Sequence, residues 1–168
     1  MDDQRRIEPP RAGDERATLT GVLQFQRETL AVKCAGLTAE QLKERAVAPS
    51  GLSLLGLVRH MAEVERSWFR NAFRGENSNS PWTQPGADEF ADFDVDAADP
   101  EEAFAIWHRE CARSREIVSA AESLDATGEY RGEVFSLRYV LAHMIEEYAR
   151  HNGHADLLRE RIDGTTGE

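Results

Sequence analysis

Four side chains able to bind a metal recur along one stretch near the end of the chain: His143, Glu147, His151 and His154. At about 100° per residue, spacings of four, four and three place them within roughly an 80° sector of a helix. That sector overlaps the apolar stripe Val140, Met144, Leu158 and Ile162, so the row runs along the edge of a buried face. Three imidazoles and a carboxylate are costly to leave unpaired there. Either a hydrogen-bond network or a metal ion must satisfy them.

A mononuclear centre that does chemistry takes three protein ligands and keeps a position open for water or substrate. Residues four apart stand one above the other on a helix, so the row offers two pairs, Glu147 with His151 and His143 with Glu147. The third ligand must come from another helix. His60 lies on the inward side of its helix, beside Leu57 and Val64, whereas His108 follows Trp107 on a helix whose core positions are apolar and suits a surface role. Geometry therefore selects His60, Glu147 and His151. This set suits Zn²⁺ with an open fourth position, with Ni²⁺, Mn²⁺ or Fe²⁺ as alternatives. His143 and His154 would then line the pocket or orient the ligands.

Each residue also has a plainer reading. His60 alone could be a hydrogen-bonded core histidine, Glu147 could pair with Arg150 or Arg159, and His151 could be a cation near a helix end. Other metal motifs are missing: no Glu is followed three residues later by His, as di-iron carboxylate bundles require, and no His-Glu-x-x-His occurs. Neither a Gly-rich phosphate loop nor a Gly-x-Ser-x-Gly elbow occurs.

The elements that must carry these residues are helical. Leu19, Val22, Leu23, Phe25, Leu30 and Val32 recur at helical intervals from about Ala17 to Ala35, and Thr38-Ala39-Glu40-Gln41 has the form of a capping box before a short turn. Ser53 is an N-cap for a second long helix reaching Gly75 with Leu54, Leu57, Val58, Met61, Val64 and Trp68 on its stripe. Pro100 opens a third, to about Ser123, burying Ala103, Phe104, Trp107, Cys111 and Ile117. Ser136 caps a fourth that runs to about Ile162, with Gly164 as its stop. Gly128 and Gly132 flank an exposed loop, although Tyr130 to Phe135 could pair locally. The expectation is all-α, a four-helix bundle with a long crossover over about 76–98 between the second and third long helices. Trp82 and Phe90 make that crossover a candidate cover for the site.

A chain of 168 residues is about one domain long. Residues 1–14, rich in charge with Pro9 and Pro10, read as a disordered tail, and 15–164 as the single domain. Thirty-one acidic against 20 basic residues give a net charge of -11, which argues against nucleic acid and anionic membranes as partners. The apolar run Gly51–Ala62 is broken by Arg59 and His60 and is too short to span a bilayer. With no apolar stretch behind the N-terminal charges, the reading is cytoplasmic. Cys34 and Cys111 share no C-x-x-C spacing and are expected as reduced, partly buried thiols. Periodicity does not separate an exposed apolar seam from core, so monomer and homodimer both stay open.

Leu57-Val58-Arg59-His60-Met61-Ala62-Glu63-Val64-Glu65 and the segment from His143 through His154 to Asp156 resemble the DinB-like superfamily of metal-binding four-helix bundles. Within it the chain is similar to the actinobacterial branch of mycothiol-dependent S-transferases, over about residues 17–164. The resemblance implies ligands at His60, Glu147 and His151. Many members have His at the position of Glu147, while the mycothiol-dependent maleylpyruvate isomerases are similar to this chain in having Glu. Many relatives carry Gln where this chain has His154, which implies a pocket role there. The isomerases have a further C-terminal domain, and this chain ends just after the fourth helix, so simple thiol transfer is the closer analogy. The implied function is a metal-dependent S-transferase that conjugates a low-molecular-weight thiol, mycothiol, to electrophilic small molecules, a detoxification chemistry. The alternative is a non-catalytic metal- or ligand-binding bundle for sensing or storage.

Overall fold

A computed structural model describes residues 6–82 and 91–167. The long helices are α1 (Glu15–Cys34), α3 (Leu54–Glu65), α4 (Pro100–Ala120) and α5 (Leu137–Asp163). A one-turn helix α2 (Ala39–Lys43) follows α1, and strands β1 (Thr127–Tyr130) and β2 (Glu133–Ser136) precede α5. The caps at Ser53, Ser136, Gly164 and the Thr38–Gln41 box are the ones that the sequence offers, and Asp14 and Asp99 add two more. Asp14, Ser53, Asp99 and Ser136 each accept a first-turn backbone N–H, Thr38 and Gln41 close a capping box, and Gly164 ends α5 at φ 76°. Segment 6–14 runs back along α1, with the Ile7 N–H donating to Glu28 and the Arg6 guanidinium to the Thr29 hydroxyl.

Helix α1 packs along α5 and α3 along α4, while α3 also meets α5. The core between them contains Leu23, Leu30, Leu57, Met61, Trp107, Leu141, Met144 and Leu158. All four long helices are further joined by one buried polar chain. The Trp107 indole N–H on α4 donates to the Tyr148 hydroxyl on α5 at 2.9 Å, and that hydroxyl donates to Glu65 on α3 at 2.8 Å. Glu65 accepts two parallel bonds from Arg27 on α1, at 2.7 and 2.8 Å. Burial alone would raise the Glu65 carboxyl, but Arg27 and the Tyr148 hydroxyl hold it below its ordinary value. A fully buried carboxylate is tolerable only because its lone pairs are filled in this way.

Two local features differ from the sequence expectation. The helix that starts at Leu54 does not stay α-helical to Gly75; from Arg66 to Phe73 it is π-helical. The expected loop around Gly128 and Gly132 is a two-stranded antiparallel hairpin with Tyr130 opposite Glu133. Its two-residue turn has positive φ at both positions, 54° at Arg131 and 82° at Gly132, the twist that matches paired strands. The molecule remains an all-α bundle with this one hairpin appended. Among the described residues, no helix is long and apolar enough to cross a membrane.

Candidate metal centre

Helices α3 and α5 bring His60 against His151, with ring centroids 4.7 Å apart at 67°. Glu147 stands one turn before His151 on α5, its Oε2 3.5 Å from His151 Nε2. One donor atom from each of His60, Glu147 and His151 lies within 4.8 Å of the others, a grouping that could hold a metal ion. Zinc bonds of about 2.0–2.2 Å at tetrahedral angles separate ligand atoms by roughly 3.4 Å. The Glu147–His151 separation already fits, and closing a gap of up to 4.8 Å takes at most about 1.4 Å of side-chain movement.

The ionisation states suit ligation. Burial, reinforced by the neighbouring His60, His154 and Arg150, brings His151 down to about 4, so at neutral pH it offers an uncharged imidazole with a free lone pair. Glu147 is not drawn to the neighbouring arginines: Arg150 pairs with Glu146 at 2.8 Å and Arg159 with Asp163 at 2.8 Å. The plainer reading of Glu147 as half of a surface ion pair with Arg150 or Arg159 is therefore not what the structure shows.

The supporting contacts come from three directions. His60 Nδ1 lies 2.7 Å from Asp92 Oδ2, and its ring stacks on Phe93 at 4.8 Å. With Nδ1 so engaged, Nε2 is the nitrogen left to ligate. Asp92 is delivered by Arg59, the residue before His60, whose guanidinium donates to the backbone carbonyls of Ala91 and Asp94. Phe93 in turn fits over Gly56, where a Cβ would stand 3.3 Å from its ring. On α5, His151 Nδ1 faces His154 Nδ1 at 3.3 Å, and His143 Nε2 lies 3.6 Å from Glu147 Oε1.

The four-residue row on α5 is thus assembled as one face, with His60 opposite it. His108 is exposed, and both cysteines are free and buried. Trp82 lies beside the site, its indole N–H donating to the Arg59 carbonyl at 2.9 Å; Phe90 falls outside the described residues. The sequence marks Phe93 only as an aromatic of the crossover and does not single out Asp92, because their place in an acidic, aperiodic stretch carries no local signal of a partner thirty residues back. A cavity of about 590 Å³ between α1 and α4, lined by Leu23, Arg27, Val118 and Leu141 among others, includes none of the three clustered residues.

No curated protein and no solved structure matches the chain. A family model described as mycothiol-S-transferase matches residues 18–164, which takes in the four long helices except the first three residues of α1 and every residue of the centre, and the chain belongs to that family.

Proposed function

We propose that this protein is a metal-dependent S-transferase that joins mycothiol to electrophilic small molecules. The observation that carries the reading is the convergence of His60, Glu147 and His151 from two helices, inside a chain of the mycothiol-S-transferase family. A bound divalent cation, most simply Zn²⁺, would stabilise the thiolate form of the thiol and so supply the nucleophile at neutral pH. His60 and His151 would hold it as neutral imidazoles, and Glu147 would contribute one negative charge. Asp92 would fix the His60 ring and tautomer, and His154, accepting from His151 Nδ1–H, would do the same for His151. In the reaction a sulfur–carbon bond forms as the bond from that carbon to its leaving group breaks, and the thiol proton passes to solvent.

Protein purified without a histidine tag and loaded with zinc should turn over mycothiol with a fluorogenic electrophile. His60→Ala should lose both bound metal and turnover while keeping its helical circular dichroism. Unchanged metal stoichiometry in that variant overturns the ligand set. Metal binding without turnover on any electrophile would instead favour a sensing or storage bundle.

A further inference from the structure

The row on α5 does not stop at the metal centre. One turn before Glu147 stands His143, and one turn before that Tyr139, with rings parallel to within 4° at 6.0 Å. Trp68, from the π-helical segment, lies 4.2 Å from His143 and 6.0 Å from Tyr139, and Phe135 of β2 closes on Trp68 edge-on at 5.4 Å. The cross-helix contacts His60–His151 and Trp68–His143 are eight residues apart on each helix, about 12 Å by helical rise, and Glu147 lies midway between them on α5. A continuous aromatic wall therefore leads away from the carboxylate that faces the proposed metal.

This wall is open to solvent. Tyr139, 51% exposed, is one of the four large apolar residues left exposed among those described, and Trp68 and Phe135 are half-buried beside it. Its position is built by unusual backbone: Trp68 sits in a π-helical stretch, a geometry often found at functional sites, and the hairpin carrying Phe135 rests on that same stretch. Exposed apolar surface gathered beside a polar centre marks a ligand site.

We infer that Trp68, Phe135 and Tyr139 form the subsite for the electrophile, and that the substrates preferred are those with a planar aromatic body. The inference rests on the transferase reading for its chemistry. Aromatic rings favour edge and offset contacts with a further ring at the distances seen here. A hydroxyl-rich thiol, by contrast, would need a density of hydrogen-bonding groups that this wall does not present.

The test compares iodoacetanilide with iodoacetamide, which share the same reactive carbon and iodide leaving group and differ by a phenyl ring. With zinc-loaded full-length protein and saturating mycothiol, kcat/KM corrected for the uncatalysed rate should favour iodoacetanilide by about tenfold or more. Trp68→Ala and the half-exposed Tyr139→Ala should each bring the ratio down toward one, and Trp68→Phe should restore most of it. Equilibrium dialysis of unreactive acetanilide with metal-free protein gives a readout independent of transfer: binding to the unsubstituted protein, and its loss in Trp68→Ala. A ratio unchanged by both alanine variants, or a rise in KM for the thiol in place of the electrophile, overturns the inference. Absence of turnover on either compound overturns the transferase reading, and the dialysis result then decides the subsite by itself.

Discussion

His60 Nδ1 and Asp92 Oδ2 are 2.7 Å apart across 32 residues of sequence, and Asp92 is 8% exposed. A buried carboxylate on the far nitrogen of an imidazole fixes the tautomer and raises the basicity of the near one. Asp92→Ala should therefore weaken zinc binding by about 10- to 100-fold without changing the one-to-one stoichiometry. Competition with a chromophoric chelator measures this, and an affinity equal to that of the unsubstituted protein would show Asp92 to be a packing residue only.

Much of this molecule can be read from local sequence, because caps and amphipathic stripes act over four residues. Ser53, Ser136, Gly164 and the Thr38–Gln41 box stand where their side chains predict, and the row His143–Glu147–His151 follows from helical spacing alone. The π-helical Arg66–Phe73 is invisible to that reasoning, since a period of 100° per residue is assumed in finding the stripe. Asp92 is hidden for a different reason: its partner is chosen by how Arg59 folds the crossover back onto α3. Arg27 and Glu65 look like solvated charges until the helices meet, although both occupy inward positions, four residues after Leu23 and Met61.

Removing one member of the buried chain should reveal its cost. Glu65→Gln leaves the Arg27 guanidinium without its counter-charge and should destabilise the fold by about 3–5 kcal/mol, a fall in Tm on the order of 10 °C. The pH dependence follows from the lowered pKa of Glu65. A carboxyl whose folded value lies below its ordinary 4.5 contributes stability above that pH and loses it as pH falls through the folded value. Denaturant melts between pH 6 and 3 should thus be steeper in pH for the unsubstituted protein than for Glu65→Gln. Parallel profiles would mean that Glu65 is already neutral in the fold.

The two thiols should be inert while the protein is folded. Burial pushes Cys34 up to about 12, and burial with the Glu65 carboxylate raises Cys111 further, so neither supplies thiolate at neutral pH. An aromatic disulfide reagent should release no chromophore from native protein over minutes and two equivalents after unfolding. Rapid native reaction at either cysteine would contradict the burial described for it.

The hairpin that carries Phe135 is seated through a glycine. A Cβ on Gly128 would stand 2.1 Å from the Phe73 carbonyl oxygen and 2.5 Å from its Cα, both backbone atoms that cannot rotate aside. Gly128→Ala must therefore lift β1 off the π-helical segment, at a cost of roughly 1–3 kcal/mol, and shift the Trp68 environment with it. Gly132 provides the control, because its φ of 82° disfavours a side chain while nothing lies within 4 Å of the added carbon. Gly132→Ala should cost about 1–2 kcal/mol of backbone strain and leave tryptophan emission near its original wavelength. Equal emission shifts in the two variants would mean that the hairpin's contact with Phe73 does not position Trp68.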